Sequence, residues 1–428
     1  MSCRSPYADV EIPSVPLSEF VLEHATARGD KPALIDGPSG RVLTYAAVAA
    51  GTKSVAAALQ ARGIGKGDVI AIFSPNLPEY ALAFHGVAIA GGIVTTLNPT
   101  YTTEELAYQL RDSGARMLIT VPPLLERASL ASHGTAVTEL VVFGEAEGAM
   151  PFASFVAHDG PLRPVPIDPA RDVVALPYSS GTTGLNKGVM LTHRNLIANV
   201  VQMLGTGMDH SDEVLLAVLP FFHIYGMEVI LNIGLRAGAT TVTMPKFDLE
   251  QYLTLIERYR VTFAHVVPPI IIALAKHPLV DKFDLSSLRS VFSGAAPLGA
   301  AVSAACGSRL DAVMRQGYGM TETSPATHCT PHDPEKIKPG SVGVCLPNTE
   351  CKILSLDTGK EVGRNHDGEL VVRGPQVMLG YHHRPEATAE ILSADGWLRT
   401  GDIGYADDDG NFFIVDRAKE LIKYKGMQ

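Results

Sequence analysis

Residues Tyr178, Ser179, Ser180, Gly181, Thr182, Thr183, Gly184, Leu185, Asn186, Lys187 and Gly188 put four small hydroxyls, three glycines and one lysine into eleven positions. Glycines let a backbone turn so that successive N–H groups point at one place, and the Ser and Thr hydroxyls add further donors. A lysine at the end of such a loop adds a mobile positive charge. That is the chemistry of a polyphosphate cradle. It is not a Walker A loop, because that motif has Gly directly before the Lys, where this chain has Asn186. A Gly/Ser/Thr surface turn has the same composition, so the rest of the chain decides.

Five further clusters carry reactive groups. Pro220-Phe221-Phe222-His223-Ile224-Tyr225-Gly226 follows an apolar run and puts an imidazole among aromatics at a strand's carboxyl end, where open α/β sheets bind ligands. Ser293-Gly294-Ala295-Ala296-Pro297-Leu298 is small enough for a flat ring to lie on backbone. Gln316-Gly317-Tyr318-Gly319-Met320-Thr321-Glu322-Thr323 offers a stacking ring, hydroxyls and a carboxylate suited to Mg²⁺. Thr400-Gly401-Asp402 sets a carboxylate after a turn, as if for sugar hydroxyls. Residues 416–426 form a basic run. Each has a bland reading taken alone: core packing, a strand-to-helix turn, a capped turn, a turn aspartate, a solvated charged face.

Composition narrows the classes. The net charge of −10 gives no basic excess for a nucleic-acid binder. No signal peptide is visible in residues 1–18, and no apolar run is long enough for a membrane span. The five cysteines, Cys3, Cys306, Cys329, Cys345 and Cys351, form no CxxC pair and no recognisable metal spacing, so free thiols in a reducing cytoplasm are expected.

The elements that must position these groups alternate strand and helix patterns. Residues 33–36 and 41–43 are expected as short strands, with Thr44 capping a helix to about residue 61. Residues 68–73 and 93–97 are expected as buried strands, 79–90 as a helix, and 104–111 as a helix capped by Thr103. Thr192 and Asp248 are expected to cap later helices, and 215–219 and 261–264 to be strands. This rhythm predicts an α/β fold: two stacked, mostly parallel sheets flanked by helices. From about residue 341, short strands with close turns predict a small β-barrel-like subdomain. The expected divisions are 1–165 and 166–340 (α/β, the second with the phosphate loop and an acyl pocket), 341–416 (β-rich) and 417–428 (a hinge).

Together and in this order, the clusters resemble the acyl-adenylate-forming superfamily, which includes acyl-CoA ligases, peptide-synthetase adenylation domains and firefly luciferase. The resemblance covers nearly the whole chain. It implies ATP-dependent conversion of a carboxylic acid to acyl-AMP with pyrophosphate release, then acyl transfer to coenzyme A, with ATP, Mg²⁺ and coenzyme A as cofactors. By position, Ser179, Ser180, Gly181, Thr182, Thr183, Gly184 and Lys187 would hold the β- and γ-phosphates. Gly294, Ala295, Ala296, Gln316, Gly317 and Tyr318 would enclose adenine. Thr321 would contact the α-phosphate, Glu322 would bind Mg²⁺, and Asp402 and Arg417 would hold ribose. His223 would sit at the acyl carboxylate, Lys419 would be the hinge, and Lys423 and Gln428 would belong to the adenylating machinery. The family usually has Pro where Asn186 stands, a change expected to alter loop stiffness more than chemistry. The chain stops at Gln428, before the family's C-terminal domain and its bridging lysine. Adenylate formation by these 428 residues is therefore expected to be weak, since one lost preorganised charge costs ~10²–10³ in rate.

Within that superfamily, Phe222-His223-Ile224-Tyr225, Ser293 to Leu298 and Lys419 to Gly426 are most similar to 4-coumarate:CoA ligases and bacterial cinnamate-activating relatives. The resemblance implies an acyl pocket of His223, Tyr225, Val229, Phe292, Ala295, Gly317, Gly319, Pro325, Ala326 and Thr327. Gly319 replaces the Trp of acetate-activating members and is expected to leave room for a bulky acid. No aspartate follows His223 to pair with an amino-acid ammonium. A medium- or long-chain fatty acyl-CoA ligase and a non-catalytic adenylate-binding protein remain as alternatives.

Overall fold

The computed structural model describes residues 3–179 and 186–417, with the backbone alone for residue 417. The expected Ser180, Gly181, Thr182, Thr183 and Gly184 of the loop, and Lys419, Lys423 and Gln428, lie outside the described residues, as does the Arg417 side chain.

Two nine-stranded sheets and one five-stranded sheet carry the chain. In the first, Ile93–Leu97, Val69–Phe73, Met117–Thr120 and Glu139–Val142 run parallel. Val69–Phe73 is buried at every position, as an apolar run without alternation must be when helices cover both faces. In the second, Val313–Gly319, Ser290–Ser293, Phe263–Val266, Val214–Ala217, Thr240–Thr243 and Pro32–Asp36 are parallel neighbours. The α/β class with mostly parallel sheets is thus as expected. The third sheet is antiparallel throughout and open. Its edges are Cys3–Arg4 and Phe412–Arg417, which do not pair with one another. It is half a barrel rather than a closed one.

Sheet membership does not follow the chain segments. Pro32–Asp36 and Val42–Thr44 join the second sheet, whereas Val173–Ala175, Tyr178–Ser179 and Lys187–Thr192 join the first. Each large sheet takes strands from both sides of residue 165. The extreme N-terminal strand belongs to the C-terminal sheet.

Local chemistry sets most helix starts. Thr44 and Asp248 cap their helices through side-chain oxygens, and Thr192 forms a reciprocal capping box with Asn195. The helix expected to be capped by Thr103 is Thr103–Ser113, capped instead by Thr102, because only Thr102 is three residues from Glu105, whose carboxylate returns to its N–H at 2.8 Å. His223 and Tyr225 follow the Val214–Ala217 strand as expected, and Tyr225–Asn232 is a π-helix of eight residues. Among the described residues, no helix is long and apolar enough to cross a membrane.

Tyr45–Ala61 and Glu79–Ile89 pack face to face because Gly86 lacks a side chain. A Cβ there would meet Val55 Cγ1 at 2.4 Å. Val55 is β-branched and held to one helical rotamer, so it cannot swing away. Gly86→Ala gains ~1 kcal/mol of helix propensity but overpacks a buried contact at a cost of ~1–3 kcal/mol. Urea denaturation is expected to show a net loss of stability; a gain would mean that the helix pair can separate at little cost.

Candidate active site

A cavity of about 800 Å³ is lined by residues of all three sheets. It lies at the carboxyl ends of Ser290–Ser293 and Val313–Gly319, which are parallel neighbours, as expected for a ligand site on an open α/β sheet.

The strands on either side of the phosphate-type loop pair with each other. Tyr178–Ser179 and Lys187–Thr192 pair antiparallel, with Ser179 opposite Lys187. The Ser179 hydroxyl donates to Glu322 Oε1 at 2.8 Å, and the Tyr381 hydroxyl donates to the same oxygen at 2.7 Å. Burial, then the Glu322 charge, raises the Tyr381 hydroxyl's pKa above its usual range, so it stays a donor. Lys187 Nζ stands over the Tyr381 ring at 5.0 Å, a cation–π arrangement. On the hairpin's other flank, Asn186 Nδ2 donates to the Tyr101 hydroxyl at 2.9 Å and the Tyr108 hydroxyl donates to the Asn186 carbonyl at 3.1 Å. The residue standing in place of proline is thus held by two tyrosines instead of by a ring.

Across the cavity, Tyr318 stands one residue before the end of its strand and its hydroxyl donates to Asp402 Oδ2 at 2.6 Å. Asp402 is the strand partner of Arg417. Glu369 steadies this corner by pairing with Arg399 and accepting from the Gly401 N–H at 3.3 Å. Thr321, Gly294 and Ala295 also line the cavity, with Ala295 at a φ of 68°.

His223 borders the cavity while protein surrounds it on the other sides, so its ring is reachable yet poorly solvated. Desolvation lowers its pKa below 6.5. The Tyr225 N–H donates to His223 Nδ1 at 3.2 Å, which leaves the neutral ring's proton on Nε2. The turn carrying His223 is held from the other large sheet. Asn76 Nδ2 donates to the carbonyls of Ala217 and Leu219, both at 2.9 Å, and Asn76 Oδ1 accepts from the Phe221 N–H at 2.7 Å. Thr96 Oγ1 donates to the Phe222 carbonyl at 2.6 Å.

Tyr225, Val229, Phe292, Pro325 and Ala326 form an apolar slot beside His223. The π-helix turns Tyr225 and Val229 to the same wall. Glycines draw the aromatic walls inward: a Cβ at Gly294 would meet Tyr225 Cε1 at 2.5 Å, and one at Gly317 would meet Phe292 Cζ at 2.7 Å. Gly319 also borders the cavity, but a Cβ there would run into the Pro325 carbonyl oxygen at 2.0 Å. Its bareness therefore also serves the close approach of its own hairpin. Ala296, Gln316 and Thr327 lie outside the cavity lining. Gln316 is buried and bonded through its backbone to Thr330, and Thr327 turns its hydroxyl to the His328 ring.

Sequence reasoning passed over Asn76, Thr96, Tyr381, Arg399 and Glu369. Their partners lie far along the chain, and no local spacing marks them. The one available signal is Asn76, an amide in a buried strand-to-helix connection whose backbone partners had to be elsewhere.

A model of the family described as AMP-binding enzyme matches residues 21–382. The chain belongs to this family. It is 45% identical to 4-coumarate–CoA ligase 5 of Oryza sativa subsp. japonica over 99% of this chain and 80% of that protein. It is 43% identical to 4-coumarate–CoA ligase of Pinus taeda over 99% of this chain and 81% of that protein. Among solved structures, the luciferase-like enzyme of the Zophobas morio mealworm superposes with a TM-score of 0.91 at 28% identity, covering 99% of this chain and 100% of that one. The anthranilate CoA ligase AuaEII, solved with anthranoyl-AMP, does so with 0.88 at 25% identity, covering 97% and 80%. This AMP-binding enzyme is an AMP-forming acid–CoA ligase, which makes an acyl-AMP and passes the acyl group to coenzyme A.

Asn76→Ala would leave the Phe221 N–H and the Leu219 carbonyl without this partner at the His223 turn, while the Ala217 carbonyl keeps the Met244 N–H at 3.2 Å. At ~1–3 kcal/mol for an unsatisfied buried group, denaturation should show a loss of ~2–4 kcal/mol. Wild-type stability in this variant would mean that the turn holds itself.

Proposed function

We propose that the acid is a flat aromatic carboxylate of the cinnamate or 4-coumarate type, activated with ATP and Mg²⁺ and transferred to coenzyme A in the cytoplasm. The observation that carries the aromatic reading is the slot itself. Tyr225 and Phe292 lie against the backbone at Gly294 and Gly317 and give the cavity an aromatic wall beside Val229 and Pro325, a lining that suits an aromatic acid. The names of the 4-coumarate–CoA ligase relatives support the same class, and free thiols support a reducing compartment.

Adenosine would lie with its base against Tyr318 and the 294–295 backbone and its ribose on Asp402 and Arg417. Ser179, Lys187 and the residues 180–184 between them would hold the β- and γ-phosphates, and Thr321 the α-phosphate. Glu322 fits a divalent cation: it is a hard oxygen donor buried in the cavity wall, with Oε1 already oriented by two hydroxyls. Mg²⁺ bound there would offset the phosphate charge. His223, with its proton on Nε2, would orient the acid's carboxylate while the apolar walls exclude water. One carboxylate oxygen then attacks the α-phosphorus and pyrophosphate leaves with the bridging oxygen's electrons. In the second step the coenzyme A sulfur attacks the acyl carbon, AMP departs, and the thiol proton is lost. Lys423 and Gln428 would join the first step.

A fatty acyl-CoA ligase would share every nucleotide contact, so the test is on the acid. Thermal shift of this chain with Mg·ATP and cinnamate, 4-coumarate, ferulate or octanoate separates them. The aromatic acids are expected to raise Tm more than octanoate; an equal or larger rise with octanoate overturns the aromatic assignment. Stabilisation by AMP with no preference among acids would favour an adenylate-binding role instead.

A further inference from the structure

Behind Tyr318, three buried side chains from three strands converge. His328 and Cys345 are Cα partners on the paired strands Ala326–Cys329 and Val344–Cys345 of the second large sheet. Cys351 comes from Glu350–Leu354 of the five-stranded sheet. His328 Nε2 stands 3.5 Å from Cys345 Sγ and 3.4 Å from Cys351 Sγ. All three ligand atoms fall within 4.8 Å of one another, and none of the residues is exposed.

We propose that His328, Cys345 and Cys351 form a structural zinc site that joins the two sheets. Zinc bonds thiolate sulfur at about 2.3 Å and imidazole nitrogen at about 2.0–2.1 Å, so neighbouring N and S ligands of a tetrahedral ion stand about 3.6 Å apart. The two N···S distances here differ from that by no more than about 0.2 Å. Two sulfurs and one imidazole are a soft donor set of the kind that selects zinc over Mg²⁺. The outer partners are in place as well. Thr327 Oγ1 lies 2.9 Å from His328 Nδ1, and the Phe412 ring packs on the imidazole at 4.3 Å, the kind of support that fixes the tautomer and plane of a ligating histidine. Cys3 is the Cα partner of Cys351 on the N-terminal edge strand, so its side chain leaves the same face of the sheet, but it is not among the residues whose ligand atoms all lie within 4.8 Å of one another.

The site also touches the nucleotide corner, because the His328 ring lies 5.8 Å from the Tyr318 ring. An ion on Nε2 would hold the imidazole that backs Tyr318 and tie the N-terminal strand's neighbour to it. Simple S–H···N contacts have similar separations, and spectroscopy distinguishes the two.

The test is metal analysis of the full chain, carrying no affinity tag and purified under reducing conditions without chelator. One zinc per chain is expected. Replacement by Co²⁺ should give the intense thiolate-to-cobalt charge-transfer absorption of a tetrahedral sulfur site. Cys345→Ser and Cys351→Ser should lose both, and Cys306→Ser should keep both. Should the serine variants fail to fold, release of zinc from the wild-type chain on thiol modification, with a fall in Tm, reads the same contact. The proposal is overturned if the reduced wild-type chain takes up neither zinc nor a thiolate-bound cobalt. It is equally overturned if Cys345→Ser binds cobalt with an unchanged spectrum, or if Cys345 and Cys351 are joined as a disulfide in the protein from reducing conditions.

Discussion

The Glu322 carboxylate is the point at which the two large sheets meet over the cavity. It belongs to the connection after Val313–Gly319 in the second sheet, while Ser179 belongs to the first sheet and Tyr381 to a strand paired against it. An ionised carboxylate buried without donors would cost several kcal/mol, so the two hydroxyls hold the charge where it is and thereby fix the sheets' relative position. The fold thus sets the distance between the Ser179 flank and the Glu322 carboxylate by one shared contact.

A second set of bonds does the same for the acid end. Asn76 and Thr96, both from the first sheet, hold the backbone of the His223 turn, which grows out of the second. Neither donates to the cavity. Their effect is to place one imidazole relative to one slot, and preorganisation of this kind is where an enzyme that mainly positions its reactants gains rate. The glycines at 294 and 317 complete the slot by removing side chains that would collide with Tyr225 and Phe292.

Much of this was legible in the chain alone, and what was not has definite causes. The hairpin loop, the parallel strand rhythm and the caps at Thr44, Thr192 and Asp248 are local patterns, each fixed by neighbours within a few positions. Tyr381 and Asn76 escaped because their partners are distant in the chain, Glu322 lying 59 residues from Tyr381 and the Ala217, Leu219 and Phe221 backbone more than 140 from Asn76. The π-helix at 225–232 escaped because its apolar pattern resembles an α-helix over so short a length. At Gly319 the sequence shows no sign that the missing side chain also makes room for the Pro325 carbonyl. The cysteines were passed over because His328, Cys345 and Cys351 have no recognisable ligand spacing and meet only when strands of two sheets come together.

The account rests most on the claim that one cavity holds the whole acyl-adenylate, with its aromatic group in the glycine-walled slot. A crystal structure of this chain with a cinnamoyl sulfamoyl-adenosine, a stable mimic of that intermediate, tests it directly. The account predicts the ring between Tyr225 and Phe292, the linking carbonyl within hydrogen-bonding distance of His223 Nε2, the base against Tyr318 and the ribose at Asp402. An acyl group turned away from the slot, or a base bound apart from Tyr318 and Asp402, would contradict it.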